Sequence, residues 1–333
     1  MTQPNPTRWG IISTANIARS AFLPALRAAG GTAYAVAGRD RDRTRRFAEE
    51  NGVEHAVEGY AKLLADDQVE AVYVALPNSL HAEWTVAAVQ AGKAVLCEKP
   101  LCVSLPETEE VLEETRRRSG LLWEAFVFPF QPQTARLLDI IRSGEIGELR
   151  EVQANFHFKL TNPANIRLDR ALGGGGLYDV GCYCIRFGRL LLGEATDGTA
   201  LARWTDQGVD LDLQGVLGFL GGRRLLLSCG MARPPDTFAR VIGSEGEVRL
   251  SNPYHSRQAD TLEVRHGGEV RVERPSNDEP SFTDALRHIQ AVLRGEEAPR
   301  HLAVDDAAGN AAAIDLLYRK ARQQAVSSPP ATT

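Results

Sequence analysis

No stretch of the 333-residue sequence approaches the roughly 20 consecutive apolar residues that a bilayer-spanning helix needs, so no membrane function is expected. The first ten residues, MTQPNPTRWG, also lack the apolar core of a signal peptide, and the expected location is the cytoplasm. Positive charge is not in surplus: 38 Lys and Arg stand against 43 Asp and Glu, a net charge of −5. That balance removes the basic face that nucleic acid demands. Cysteine is sparse, with five residues at 97, 102, 182, 184 and 229. An odd count in a chain of this kind argues against a disulfide framework. Cys182-Tyr183-Cys184 is C-x-C, and no second pair has zinc spacing, so no metal site is expected. The thiols read as small buried hydrophobes. No internal repeat is present. What remains is the composition of a soluble globular protein, 43% hydrophobic and 24% charged, and a length that suits two domains.

The pattern of what is present changes near residue 126. Before it, short apolar runs (RWGIIS, TAYAVAG, EAVYVAL, KAVLCE and GLLWEAF) alternate with helical segments at 16–29, 42–51 and 79–91. Continuous apolar strands that alternate with helices imply a parallel sheet covered on both faces, a doubly wound α/β domain over residues 1–125. After it, a helix is expected at 132–143. Strand-like stretches follow at 149–159, 200–204, 209–220, 223–232, 239–250 and 261–272, punctuated by LGGRR, GSEGE and RHGGE. This predicts an α+β domain over 126–323 with a large open, mostly antiparallel sheet. Helices at 281–294 and 305–322 close it, and the tail 324–333 is expected to be disordered.

WGIISTANIA, residues 9–18, has the rhythm of a nucleotide-binding turn without its glycines. Ser13, Ala15 and Ala18 occupy the three positions of G-x-G-x-x-G. The physical demand is for small side chains, backbone N–H groups and a helix N-terminus facing the pyrophosphate. Ser13, Thr14, Ala15, Asn16 and Ile17 meet it, and the hydroxyls of Ser13 and Thr14 add possible donors. Alone, the stretch equally fits an ordinary strand–turn–helix; its place at the start of an alternating βαβ domain favours the cofactor. The next strand ends in AVAGRDRDRTRR. An acidic residue there would suit NAD, whereas Gly38 makes room and Arg39 can pair with a 2′-phosphate, which points to NADP, with NAD still possible. The competing reading is a solvated first helical turn of mixed charge.

Three later motifs complete the set: LPNSLH at 76–81, CEKPL at 97–101 and GGGGLYDVGCYCI at 173–185. With the degenerate first turn, they resemble the Gfo/Idh/MocA oxidoreductases, named for glucose–fructose oxidoreductase and inositol dehydrogenase. WGIIS, GRD and GGGxLxDxGCY are most similar to the branch of dihydrodiol dehydrogenases and NADP-linked aldose (xylose) dehydrogenases. The resemblance implies a Rossmann domain followed by a substrate-binding domain. It gives Glu98-Lys99-Pro100 the family's E-K-P role, with Lys99 catalytic beside the nicotinamide. It makes Asp179 the acidic residue of the second motif and places Tyr183 where relatives carry His or Tyr. It sets Leu76, Asn78 and His81 along the cofactor. It also implies a homodimer or homotetramer built from second-domain sheets. Pro129 stands where relatives commonly carry Arg.

The chemistry is coherent on its own terms. At i and i+4 of one helix, Asp179 and Tyr183 share a face. Oxidising a carbinol needs a base for the hydroxyl proton, and a nearby Lys99 ammonium would favour the Tyr183 phenolate. Lys99 can also polarise the carbonyl in the reverse direction. Each residue taken singly also has a structural reading: a surface lysine, a buried phenol, a helix-start carboxylate. Arg167 reads either as a substrate contact or as a structural ion pair, and His157 as a residue lining the cleft. The leading expectation is an NADP-dependent dehydrogenase or reductase of a sugar, polyol or cyclic diol. The alternatives are an NAD-dependent glycosidase of the same family and a non-catalytic NADP(H)-binding sensor.

Overall fold

A computed structural model describes residues 6–276 and 278–327. These fall into two compact units. One comprises the chain up to Cys102 together with Pro106–Gln131 and Asp278–Ala308; the other takes Val103–Leu105, the segment from Pro132, and the chain from Gly309 onward.

The first unit is built on a six-stranded parallel sheet of β1 (Arg8–Ile12), β2 (Thr32–Gly38), β3 (His55–Glu58), β4 (Ala71–Val74), β5 (Ala94–Cys97) and β6 (Leu122–Glu124), in the order β3-β2-β1-β4-β5-β6. The apolar runs become strands because both sheet faces are covered. Helix α1 (Leu23–Ala28) packs on one face, where Trp9, Phe22, Leu26, Tyr73 and Trp123 form a single core. Helices α2 (Arg41–Asn51), α3 (Tyr60–Leu64), α4 (His81–Gln90) and α5 (Leu105–Arg117) complete the alternation. On the other face Leu63, Val72, Val74, Val89 and Leu112 interlock. The strand β3 has no counterpart among the apolar runs. It is an edge strand, largely exposed, and needs no apolar sequence.

The second unit holds α6 (Pro132–Arg142), β7 (Leu149–Lys159), α7 (Cys182–Leu192), β8 (Ala195–Trp204), β9 (Asp210–Phe219), β10 (Arg224–Gly230), β11 (Ala232–Gly243), β12 (Gly246–Leu250), β13 (Leu262–His266) and β14 (Glu269–Glu273). Its eight-stranded sheet runs β14-β13-β12-β11-β7-β10-β9-β8 and is antiparallel except where β7 meets β10. The stretches 239–250 and 261–272 are each broken by a turn, at the GSEGE and RHGGE signals. In the second, Gly267 and Gly268 take φ of +58° and +85°, conformations that glycine adopts without cost.

The closing helices are α8 (Thr283–Leu293) and α9 (Ala303–Ser327). Residues 278–308 were expected in the second domain, but they belong to the first unit. The stripe Phe282, Ala285, Leu286 and Ile289 fills the core beside Trp9 and Phe22, and burial of that stripe decides the assignment. Helix α9 runs past the expected end at Arg322, so residues 324–327 of the expected tail are helical; residues 328–333 lie outside the described residues. Among the described residues, no helix is long and apolar enough to cross a membrane.

Helix α7 lies against β7 and β10, and two glycines spaced seven apart set how closely. A Cβ at Gly181 would sit 2.6 Å from Cys229 Sγ, and one at Gly188 would sit 2.5 Å from Leu225 Cδ2. Gly181→Val is therefore expected to lower stability by about 1–3 kcal/mol through overpacking, read as a drop in the unfolding midpoint. An unchanged midpoint would show that the helix does not need this approach.

Candidate active site

In the first unit the loops that follow β1, β4 and β5 lie side by side at the C-terminal edge of the sheet. This edge lies at the point where strand order reverses, and open α/β sheets bind ligands there. Ser13 leaves β1 by donating its N–H to Ala37 O (3.1 Å). Its φ is +140°, a conformation that favours glycine, and its Oγ turns inward to accept the Ala15 N–H at 3.0 Å. The serine thus takes the backbone shape of the missing glycine. Ala15 N–H is bound to the hydroxyl, whose own proton remains able to donate. Thr14 and Ala15 are half-buried, while Asn16 and Ile17 are exposed. The helix then opens with a wide π-type turn, Ala18–Phe22, before α1.

Between this loop and α2 lies a cavity of about 300 Å³, lined by Thr14, Asn16, Arg19, Arg43, Arg46 and Glu50 among others. Asn16 Oδ1 accepts from Arg19 Nη2 (2.8 Å), and Arg43 Nη2 reaches Thr14 O (3.5 Å). Arg39 is exposed at the end of β2 and does not line this cavity. Gly38 is small for a reason beyond room for a ligand: a Cβ there would collide with Thr44, whose hydroxyl donates to Asp40 O (2.6 Å) at the start of α2. Asp40 caps that helix through the Arg43 N–H. Arg43 and Arg46 escaped the sequence reading because a run of mixed charge looks like a solvated face; only the backbone path turns two of its arginines toward the loop.

The other two loops are tied together by a buried imidazole. His81 is 0% exposed, with Nε2 at 2.9 Å from Leu76 O and Nδ1 at 2.8 Å from Pro100 O. Its role is to bridge the loops. Asn78 stands half-buried one turn before it, in the short helix Asn78–Leu80. The Lys99–Pro100 peptide is cis. Glu98 accepts the Tyr73 hydroxyl on Oε1 (2.5 Å), and its Oε2 faces the Lys99 N–H at 3.3 Å. Glu124 receives the Leu101 N–H at 2.8 Å. Lys99 is half-buried at the tip of this frame.

In the second unit the glycine run 173–176 is shaped by its surroundings. A Cβ at Gly174 would strike the Arg167 carbonyl. At Gly175, φ +144°, it would strike the Asp210 carboxylate and lie 2.6 Å from the Tyr318 hydroxyl. The helix begins with a second π-type turn, Leu177–Gly181, and continues as α7. Asp179 lies in the turn and Tyr183 in the first turn of α7, so the expected four-residue spacing on one helix holds. Arg167 Nε donates to Asp179 Oδ2 at 2.6 Å, so the ion-pair reading and the site reading of Arg167 meet in one contact. Tyr183 is 5% exposed, with its ring 5.5 Å from that of Phe156 and 5.4 Å from that of Tyr254. His157 is not part of this cluster. Neighbouring side chains on a strand point to opposite faces, and Phe156 holds the Tyr183 face. His157 lies on the reverse face, with Nε2 2.9 Å from Ser228 Oγ and beside Arg233. His255, which belongs to none of the sequence motifs, does join Tyr183, with ring centroids 5.2 Å apart.

Burial lowers the His81 pKa below the usual imidazole range. The two carbonyl contacts oppose the shift, and the Lys99 charge adds to it. Burial moves His157 and His288 the same way. A folded-state pKa below the unfolded value of about 6.5 means that the fold prefers the neutral ring. This stability is present above pH 6.5 and is lost as pH falls through that value toward the lower folded pKa. The unfolding midpoint is expected to drop between pH 7.5 and 5.5, and His81→Gln to flatten part of that slope. A midpoint independent of pH over this window would contradict the assignment.

Comparison with known proteins gives the same outline. Residues 7–126 match the model of the Gfo/Idh/MocA oxidoreductase family, NAD-binding Rossmann fold, and residues 134–249 match a Gfo/Idh/MocA C-terminal domain. The chain is 35% identical over 320 residues to D-xylose 1-dehydrogenase (NADP(+)) 2 of Haloferax volcanii, covering 94% of this chain and 97% of that one. It is 32% identical over 250 residues to human trans-1,2-dihydrobenzene-1,2-diol dehydrogenase, covering 74% of this chain and 75% of that one. Among solved structures, a 3-ketoreductase from Actinomadura kijaniata in complex with NADP and TDP-benzene superposes with a TM-score of 0.87. The two are 33% identical, with 95% of this chain and 98% of that one covered.

Proposed function

Because the chain belongs to the Gfo/Idh/MocA oxidoreductases, we propose that it is an NADP-dependent dehydrogenase or reductase acting on a carbinol or carbonyl of a sugar, polyol or cyclic diol. The observation that carries this reading is the shared sheet edge of the first unit. There the glycine-shaped turn at Ser13 follows β1, an arginine-lined cavity lies between that turn and α2, and the Glu98–Lys99 loop follows β5, one strand beyond β4. The residues fit a dinucleotide. The loop supplies backbone N–H groups at a helix start, and Thr14 and Asn16 flank a cavity whose cations Arg19, Arg43 and Arg46 exceed its single acid, Glu50. Arg39 at the strand end and Arg43 one helical turn on are the groups for a 2′-phosphate. Leu76, Asn78 and His81 shape the wall beside the Glu98–Lys99 loop. The relatives, a D-xylose 1-dehydrogenase (NADP(+)), a dihydrodiol dehydrogenase and a 3-ketoreductase in complex with NADP, support the same assignment.

Bound NADP supplies the hydride acceptor or donor. The chain supplies the proton chemistry. Tyr183 takes the hydroxyl proton in oxidation and returns it in reduction. Asp179, held by Arg167, orients the substrate hydroxyl. Lys99 contributes positive charge that favours the phenolate and polarises the carbonyl oxygen. The proposed assembly is a homodimer or homotetramer; the sheet face opposite α7, with Leu201 59% exposed, supports a second copy as partner.

NADP is expected to bind more tightly than NAD. Arg39→Ala and Arg43→Ala should each weaken NADP by about 1.5–3 kcal/mol while leaving NAD affinity nearly unchanged. Dissociation constants for both cofactors check this, and a wild-type preference for NAD would overturn it.

On a panel of aldoses and cyclic diols, the wild-type protein should give net absorbance change at 340 nm. A glycosidase or a sensor would give none. On a substrate found this way, Tyr183→Phe should bind NADP normally and lose about 10²- to 10⁴-fold in kcat. Lys99→Met should do the same, and the double variant should lose little more, since groups acting as one unit are not additive. Near wild-type turnover by Tyr183→Phe would end the Tyr183 assignment.

A further inference from the structure

A tyrosine is out of place in β4. The strand lies between β1 and β5 in the middle of the parallel sheet, and Ala71, Val72, Tyr73 and Val74 are all buried. Strands covered on both faces are typically aliphatic. Tyr73 is 0% exposed. Its ring stacks on Phe22 at 4.1 Å and 8°, and meets Phe282 edge-on at 6.1 Å. Phenylalanine would keep both contacts. The hydroxyl is what packing does not explain, since a buried hydroxyl is costly unless it is paired.

The pairing has one direction. Tyr73 donates to Glu98 Oε1 at 2.5 Å, and a hydrogen bond to a carboxylate is stronger than one between neutral groups. Glu98 follows β5 directly, and its own N–H donates to Val74 O at 2.9 Å, next along the strand from Tyr73. With its main chain tied to β4 and one carboxylate oxygen held from β4 as well, Glu98 turns its second oxygen to the Lys99 N–H at 3.3 Å. Beyond Lys99, Pro100 O lies 2.8 Å from His81 Nδ1 at the start of α4, and the Leu101 N–H donates to Glu124 of β6 at 2.8 Å. The Lys99 main chain therefore sits in a frame anchored to three elements, and Tyr73 is its deepest member. The same ring packs on Phe22, the last residue of the π-type turn that follows the Ser13 loop.

We propose that Tyr73 is a positioning residue for the oxidoreductase reaction: its hydroxyl, by holding the Glu98 carboxylate, sets the Lys99 main chain and so aims the Lys99 ammonium at the reacting oxygen. Tyr73 lies in the core and acts only through Glu98. Misplacing a catalytic group lowers the rate of the chemical step more than it weakens binding, so the effect belongs in kcat rather than KM. The inference rests on the reading of Lys99 as a catalytic cation.

The test is a double-variant cycle with NADP and whichever aldose or cyclic diol the protein turns over. Tyr73→Phe keeps the ring stack and removes the hydroxyl. It is expected to lose about tenfold in kcat, with KM for the carbinol changed by less than about twofold. Made on Lys99→Met, the same change should cost less than about twofold in kcat, because no ammonium is left to aim. This second measurement separates positioning from a general loss of structure, which would lower kcat by the same factor in both backgrounds. An equal loss in both backgrounds therefore overturns the proposal, and so does a Tyr73→Phe chain that no longer folds, since the hydroxyl is then structural. Wild-type kcat in Tyr73→Phe beside a crippled Lys99→Met overturns it too and leaves the Lys99 reading standing. Wild-type turnover by Lys99→Met, or no turnover by the wild-type protein, removes the Lys99 reading and this one together.

Discussion

Asp210 lies 1% exposed beneath the glycine run, and its carboxylate accepts the Leu177 N–H at 2.7 Å and the Tyr318 hydroxyl at 2.6 Å. Burial raises its pKa, and the donors around it, Tyr318 first, pull the other way. A buried carboxylate is costly unless its oxygens are matched, and here a helix start supplies the matching N–H groups. The consequences run outward. Gly174 and Gly175 must be glycines because the Arg167 carbonyl and the carboxylate occupy the space a side chain would need, and Gly176 is closely packed, with Gly230 Cα 3.1 Å from where a Cβ would sit. The first turn is pinned at Leu177, so Asp179 and Tyr183 inherit their positions from a contact neither of them makes. Gly181 and Gly188 then let the same helix settle on the sheet.

The first unit reaches its geometry by a different economy. Where the usual glycine is absent, Ser13 accepts a φ of +140° and recovers part of that cost by accepting the next available N–H. Two loops that carry no regular structure at their tips share one histidine, His81, which converts separate strand ends into one surface. Both helices that open onto candidate chemistry begin with a π-type turn, at Ala18–Phe22 and Leu177–Gly181. Such turns widen the helix and often mark functional positions.

Much of this was legible in the sequence. The apolar runs before residue 126 dictate a parallel sheet because nothing else buries both faces, and the second-domain strands and turns follow from alternation and Gly-Gly pairs. The motifs LPNSLH, CEKPL and GGGGLYDVGCY mark loop segments and a helix start that were legible as such. Failures have physical causes. The edge strand at 55–58 is exposed and carries no apolar signal. Helix α8 has an ordinary amphipathic stripe, and a stripe does not announce which core it will fill. His157 lies away from the Tyr183 cluster because strand alternation fixes which face a residue takes but not which face the helix will cover. A histidine in a loop, as His255 is, has no periodicity to betray it. Arg43 and Arg46 were hidden in a charged run whose direction only the backbone reveals.

The return of residues 278–308 to the first unit has a consequence for how the chain is made. The core containing Trp9, Phe22 and Leu26 is completed by Phe282, Leu286 and Ile289, so the first unit cannot finish its core until residue 289 has left the ribosome. Until then, the sheet that precedes everything else in sequence carries an apolar groove without its cover. Closing it joins segments some 260 residues apart, a long-range event of the kind that slows folding. The strands of the first unit are made early and their core becomes whole late. A shortened chain ending near Gln131 would hold every nucleotide-side motif and still lack part of the structure that keeps them in place.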